Sequence, residues 1–211
     1  MIKFENVSFK NVNGKNIFKN FSIQVDRGGT LVIRGNAGSG KTLLIEMMGL
    51  VRHVSEGKIQ ILGHDTSKLS RKEICNLHRR IGVIFQDLKL LENLNVSENI
   101  ALPLVIIGTP RKEIHSALHE LLPWIGLGEL SEAKISDLSW SEQRALALAR
   151  AVISRPRLIV ADNPFLGVDK LIEDRMIHLL KALNKLGTTV VVASNSENLD
   201  LKLDAERLNL S

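Results

Sequence analysis

Apolar and polar residues alternate through the first 34 positions in three short runs, IKFENVSF, FSIQV and GTLVIRG, separated by Asn-Gly and Gly-Gly turn signals. That period of two predicts β-strands. The next stretch, GNAGSGKTLLIEMMGL, passes from glycines straight into apolar residues and predicts a loop opening into a helix. KIQILG and IGVIFQ predict further strands, with the basic segment SRKEICNLHRR as a helix between them. From about 88 to 155 the pattern turns helical. RKEIHSALHELL puts Ile114, Ala117, Leu118, Leu121 and Leu122 on one face, and SEQRALALARAVI is similarly periodic, with Ser141 as its expected N-cap. RLIVAD and TTVVVAS are unbroken apolar runs, as in strands buried on both faces. Between them KLIEDRMIHLLKALNKLG predicts an amphipathic helix stopped at Gly187. Strands alternating with helices predict an α/β core around a parallel sheet, with the helical block of residues 88–155 as an inserted subdomain. No repeat or low-complexity linker divides the chain, so residues 1–211 read as one domain.

Composition changes this picture little. Apolar residues make up 44% and charged residues 24%, ordinary for a protein with a real core. The net charge of +5 is mild and its cations are scattered, which favours a solvated surface over a nucleic-acid or lipid footprint. The single Cys75 excludes an internal disulfide and fits a reducing compartment. MIKFENVSFK carries charges where a signal peptide needs an apolar stretch, and the run near ALPLVIIG is far shorter than a bilayer span. The expectation is a cytosolic chain whose membrane role, if it has one, comes through a partner.

The chemistry begins with Gly35, Asn36, Ala37, Gly38, Ser39, Gly40, Lys41 and Thr42, which fit G-x-x-x-x-G-K-[ST] between a strand and a helix. Glycines let backbone N–H groups curl around phosphate oxygens, and the helix N-terminus adds a positive dipole end. Lys41 can reach the β/γ-phosphates and the Thr42 hydroxyl can ligate Mg²⁺. Asp162 ends a second buried strand; alone it could be a cap or turn former, but beside this loop it is the expected magnesium partner.

In their order these motifs resemble the nucleotide-binding domain of ABC ATPases, over essentially the whole chain. GNAGSGKT resembles Walker A, IFQD carries the Q-loop glutamine as Gln86, LSWSEQ lies at the place of the LSGGQ signature, LIVAD resembles Walker B, and LGVD resembles the D-loop, with Asp169. GHDTSKL, LHRRIGVIFQDLKLLENLNVSENIALPL and LARAVISRPRLIVAD look most like the FtsE branch, which partners the membrane protein FtsX in bacterial cell division; the LolD and MacB exporter ATPases share much of this pattern. The resemblance implies a P-loop NTPase fold with an antiparallel β region, a RecA-like core and a helical subdomain. It further implies ATP and Mg²⁺ as ligands, with the metal near Thr42, Gln86 and Asp162, and Ser139 reaching the opposite subunit's nucleotide in a homodimer or heterodimer. An integral membrane permease-like subunit, FtsX-like, would dock near Gln86 and hold the chain at the cytoplasmic face of the inner (plasma) membrane. No nucleic-acid partner is expected, since tandem domains, a coiled-coil insertion and a basic extension are all lacking.

Four positions depart from the family pattern. Asn163 stands where the family places the glutamate that polarises water, and an amide cannot accept its proton. Asn195 replaces the switch histidine. Trp140-Ser141 replace two glycines, and the indole either obstructs closure of two domains or packs across a looser interface. The adenine-stacking aromatic expected near Asn11 is missing; Phe9, on the same strand face, reads as core. Gly35 to Thr42, Gln86, Asp162 and Asp169 remain, which fits a phosphate and metal site with hydrolysis weak or absent. His115 and His119, four apart, lack a convergent carboxylate set and read as surface or partly packed residues. Trp124 reads as a packing anchor, and Arg71-Lys72 and Arg79-Arg80 as exposed helix faces.

Overall fold

Two β-sheets of opposite character organise the chain in a computed structural model that describes residues 1–10, 14, 16–54, 56–196 and 198–210. The antiparallel sheet comprises β1 (Ile2–Lys10), β2 (Asn16–Val25), β4 (Glu56–Ile61) and β5 (His64–Asp65), in the order β2-β1-β4-β5. The other sheet holds β3 (Thr30–Gly35), β6 (Ile81–Ile84), β7 (Leu158–Asp162), β8 (Thr189–Ala193) and β9 (Glu206–Leu210), in the order β6-β7-β8-β3-β9 with every pair parallel. Asn11 and Asn13, on which the missing aromatic and the first turn signal fall, lie outside the described residues.

The apolar runs are buried on both faces, and their alternation sorts them into two cores. Val32, Ile159, Ala161, Val190 and Val192 face the core shared with α3 (Val96–Ile106), α4 (Arg111–Ile125), α5 (Trp140–Val152) and α6 (Lys170–Lys185). Leu31, Ile33, Leu158, Val160, Val191 and Ala193 face the other core, with α1 (Lys41–Met48) and the antiparallel sheet. Each fully buried Val, Leu or Ile contributes about 1.5–3 kcal/mol. A one-residue slip of β7 would exchange all of its side chains between cores, so apolar packing also fixes where Asp162 emerges. Because the strands run parallel, the ends of β3, β6, β7 and β8 share one edge, and the segments starting at Gly35, Phe85, Asp162 and Ser194 all open there.

The helical block differs from expectation at its margins. Its first helix starts only at Val96, and the irregular segment before it is held by buried Asn99. The Asn99 amide donates to the carbonyls of Leu91 (3.0 Å) and Leu94 (3.1 Å), and its oxygen accepts from the Leu91 N–H (3.0 Å). Helix α5 is capped by Ser139, not by Ser141 as the sequence suggested. Ser139 Oγ accepts from the Glu142 N–H (3.3 Å) while the Glu142 carboxylate accepts from the Ser139 N–H (2.7 Å), the reciprocal pair that the Ser-x-x-Glu spacing permits. Ser141 is buried in the first turn. Helix α6 runs to Lys185, with Gly187 left-handed just beyond its cap (φ +94°). Strand β5, of two residues, and strand β9, in which only Leu208 and Leu210 alternate, were not expected. Trp124 is half exposed and stacks on the His178 ring at 5.4 Å, a lid on the helix pair more than an anchor. His115 and His119 are exposed, and Phe9 is partly buried against the antiparallel-sheet core. Between α1 and β6, α2 (Arg71–His78) carries the exposed Arg71, Lys72 and, at its cap, Arg79, whereas Arg80, expected on the same exposed face, lies past the helix and is partly buried.

Asn99→Ala strips the partners from Leu91 and Leu94 while leaving the helix intact. The expected loss is about 1–3 kcal/mol, read as a lower urea midpoint at unchanged m-value.

Candidate functional site

The strand β3 ends where the chain must curl within six residues before α1 begins, and two glycines make that possible. A Cβ on Gly35 would lie 2.4 Å from Ser39 Oγ and 2.8 Å from the Leu210 carbonyl. Gly40 has φ +95°, and its Cβ would meet Phe18 at 2.6 Å and Ile17 at 2.8 Å. Gly40 caps α1 without a side-chain hydrogen bond, so first-turn N–H groups are left for an anion. Lys41 is buried and turns back on the loop, its ammonium donating to the carbonyls of Gly35 (2.5 Å) and Asn36 (2.9 Å). A loop that wraps a cation around its own carbonyls can exchange them for phosphate oxygens at little conformational cost.

Asp162 lies at the end of β7, two strands from β3, and is only 1% exposed. Its Oδ1 accepts from the Asn163 amide at 3.0 Å, whereas Oδ2 has no hydrogen-bond partner among the described residues. Burial pushes this carboxyl above its usual range; the Thr42 hydroxyl, the Lys41 charge and the Asn163 amide pull it back down, and Glu46 adds to the rise. A buried, bare carboxylate oxygen is expensive unless something charged meets it. Together with the Thr42 hydroxyl it is a hard oxygen donor set of the kind magnesium takes, usually completed by phosphate and water. Ser39 Oγ in the loop is likewise buried and unpartnered. The residues therefore fit a magnesium–nucleotide group.

Asn163 is left-handed (φ +48°), a conformation Asn tolerates better than most residues. Its N–H donates to the Ala193 carbonyl (2.8 Å) and its own carbonyl accepts from Arg144 Nη1 (2.6 Å). Arg144 is 1% exposed, and its guanidinium lies 4.8 Å from the Trp140 ring centre. Burial lowers the Arg144 pKa, and the Asp162 charge offsets part of that effect. Ser141 Oγ accepts from the Asp169 N–H at 2.9 Å, and Asp169 caps α6 through the Ile172 N–H at 3.0 Å. The Ile172 N–H first, and then the Ser141 hydroxyl, hold the Asp169 carboxyl below its usual range.

The structure thus brings Gly35 to Thr42, Asp162 and Asn163 together at one sheet edge. Gln86 sits on an exposed turn after β6, Asn195 is exposed after β8, and Ser139 is exposed at the start of α5. Among the described residues no side-chain hydrogen bond ties these three to Asp162. Sequence reasoning missed Arg144 and the packing of Ile17 and Phe18 on Gly40. The spacing of Trp140 and Arg144, four apart on one helix, was the available signal for the first; the second joins strands distant in sequence and had none.

A folded state that holds the Asp162 proton more tightly than the unfolded chain gains stability at acid pH and loses it as pH rises through the carboxylate range. Asp162→Asn keeps the shape and removes the charge. At pH 7 it is expected to raise the melting temperature of the nucleotide-free protein, by about 2–4 °C per kcal/mol relieved. In the same thermal-shift assay it should abolish the extra stabilisation that Mg-ATP gives over ATP alone.

Comparison with known proteins agrees with this arrangement. The family model described as ABC transporter matches residues 18–166. The cell division ATP-binding protein FtsE of Escherichia coli (strain K12) is 32% identical over 211 residues, 100% of this chain and 95% of that protein. The methionine import ATP-binding protein MetN of Pasteurella multocida (strain Pm70) is 34% identical over 199 residues, 92% of this chain but 58% of MetN. Among solved structures, the dimeric post-hydrolysis state of the ATP-binding cassette MJ0796 bound to ADP and Pi matches with a TM-score of 0.92 at 29% identity, covering 100% of this chain and 94% of that one. The chain belongs to the ABC transporter ATP-binding family and carries its cassette fold, as the motifs in the sequence implied.

Proposed function

We propose that this chain is the nucleotide-binding subunit of an FtsEX-like ABC complex, and that it holds Mg-ATP while hydrolysing it slowly or not at all. The observation that carries the reading is the bare Oδ2 of buried Asp162 beside the Lys41–Thr42 end of the phosphate loop. The Gly35 to Thr42 backbone and Lys41 would bind the phosphates, and Thr42 and Asp162 the magnesium. Bound magnesium would supply charge neutralisation on the phosphate oxygens. Gln86, on its exposed turn, would have to swing inward to join them, and Ser139 would act on the nucleotide of an opposing subunit.

Weak hydrolysis follows from Asn163. Its amide nitrogen donates one of its two N–H groups to Asp162, and its oxygen cannot take a proton from water. Loss of a positioned base costs on the order of 10²–10⁴ in rate. Asn195, exposed after β8, offers no imidazole to sense the γ-phosphate.

A membrane partner is supported by a groove of about 430 Å³ between α2, the start of β6 and the end of α3. Its lining includes Cys75, Pro103, Ile106 and Ile107 together with Arg79 and Arg150, the latter with its guanidinium on the Leu88 and Lys89 carbonyls. Ile106 and Ile107 are exposed there, beside the exposed Val105. An apolar groove with the exposed Arg79 in its lining suits a short amphipathic helix carrying an acidic residue. No helix among the described residues is long and apolar enough to cross a membrane, so attachment at the cytoplasmic face of the inner membrane would run through this groove. The likeness to FtsE favours an FtsX-like partner and a role in cell division; a LolD- or MacB-type export complex is the second reading, resting on the shared motifs. Residues 1–211 would act as one domain, with residues 88–155 as its helical arm.

Calorimetry of the purified chain is expected to register Mg-ATP binding that Lys41→Ala removes, and phosphate release well below about 1 s⁻¹, the low end of ordinary enzyme turnover. Absence of binding heat would overturn the nucleotide assignment, and turnover near that value would overturn the weak-hydrolysis part. Asn163→Glu restores a base and is expected to raise phosphate release by about 10² or more.

A further inference from the structure

Three side chains at the start of α5 reach the segment between β7 and α6 of their own chain. Trp140 Nε1 donates to the Leu166 carbonyl at 2.9 Å, Ser141 Oγ accepts from the Asp169 N–H at 2.9 Å, and Arg144 Nη1 donates to the Asn163 carbonyl at 2.6 Å. The indole is 51% exposed, yet its position is set twice over, by the bond to Leu166 and by the Arg144 guanidinium beneath it. Residues 166–169 come so close that a Cβ on Gly167, itself at φ +70°, would lie 3.1 Å from the indole nitrogen. Nothing in the helix requires this: its cap is complete with Ser139 and Glu142. The indole N–H, the one donor that side chain has, is consumed within the chain.

We propose that Trp140 is a positioning residue that straps the start of α5 to residues 166–169 of the same subunit, so that a second copy can close over nucleotide only after the strap opens. This rests on the nucleotide-binding reading above and adds to it a brake on assembly. Closure needs the Ser139 turn to approach a phosphate on the opposing copy. With the strap in place, the indole stands beside that turn and the Leu166 carbonyl is occupied. Opening it gives up a hydrogen bond and the ring–guanidinium contact and exposes the buried Arg144, a cost that adds to the free energy of pairing. The effect is steric and energetic together, and it acts on dimerisation more than on phosphate binding, because the loop from Gly35 to Thr42 is not among the groups Trp140 touches.

The test is sedimentation velocity of the full-length chain and its variants with saturating Mg-ATP, with calorimetric nucleotide binding measured on the same samples. Trp140→Ala is expected to lower the dimer dissociation constant about tenfold, equivalent to about 1.4 kcal/mol. Trp140→Phe keeps a ring over Arg144, loses only the N–H, and should fall between. A residue important only for folding, or one that packs across the dimer interface, would give weaker pairing on truncation, so unchanged or weakened dimerisation in both variants overturns the strap. If the variants bind nucleotide and pair no better, the strap alone falls; if the unaltered chain binds no nucleotide, the reading beneath it falls as well.

Discussion

A carboxylate held in a protein interior with one oxygen bare is costly unless a proton or a cation meets it, and much of this molecule is arranged around Asp162. The parallel sheet buries it, because β7 lies between β6 and β8 and is covered on both faces by apolar cores. The same sheet brings the loop after β3 to the same edge. Lys41 and Thr42 approach the carboxylate from one side, Asn163 from its own chain neighbour, and Arg144 contributes a buried positive charge from α5. These are partial answers, since burial still outweighs them and the carboxyl stays above its usual range. A magnesium ion carrying phosphate would complete the set.

From that constraint the departures at positions 140, 163 and 195 fall into one pattern. Each leaves the phosphate loop and Asp162 intact and alters what happens around a bound nucleotide. Asn163 keeps Asp162 in place through its amide and gives up proton transfer. Trp140 and Ser141 exchange two positions of minimal bulk for side chains that bond to residues 166–169. The substitution at 140 is therefore linked to the site through Arg144 and Asn163, while that at 141 bonds to Asp169.

Much of the architecture was legible before any coordinates. The strands LIVAD and TTVVVA are continuous apolar runs, and such runs have few places to go except the middle of a parallel sheet. The glycine loop fixed the point where β3 yields to α1, because side chains at Gly35 or Gly40 would collide with backbone or ring atoms. The cap of α5 was misplaced by two residues because Ser139 and Ser141 are chemically alike; only the reach of Glu142 back to the Ser139 N–H distinguishes them. In ERLNL only Leu208 and Leu210 alternate, too short a run to predict a strand, and β9 pairs with β3 at the edge of the sheet.

By itself the sequence determined the family, the cradle from Gly35 to Thr42 and the identity of the acid that ends β7, because these depend on residue type at fixed local spacing. The tertiary structure alone decided that Asp162 keeps a bare oxygen, that Lys41 rests on its own loop, and that Trp140 bonds within its own chain instead of standing free. Asp162 is buried in a sheet that sets it against a loop more than a hundred residues away in sequence. Trp140 reaches a carbonyl 26 residues further along, and even the short reach of Lys41 to the Gly35 and Asn36 carbonyls happens inside that buried edge. Burial is a property of the stack and not of any one stretch of chain.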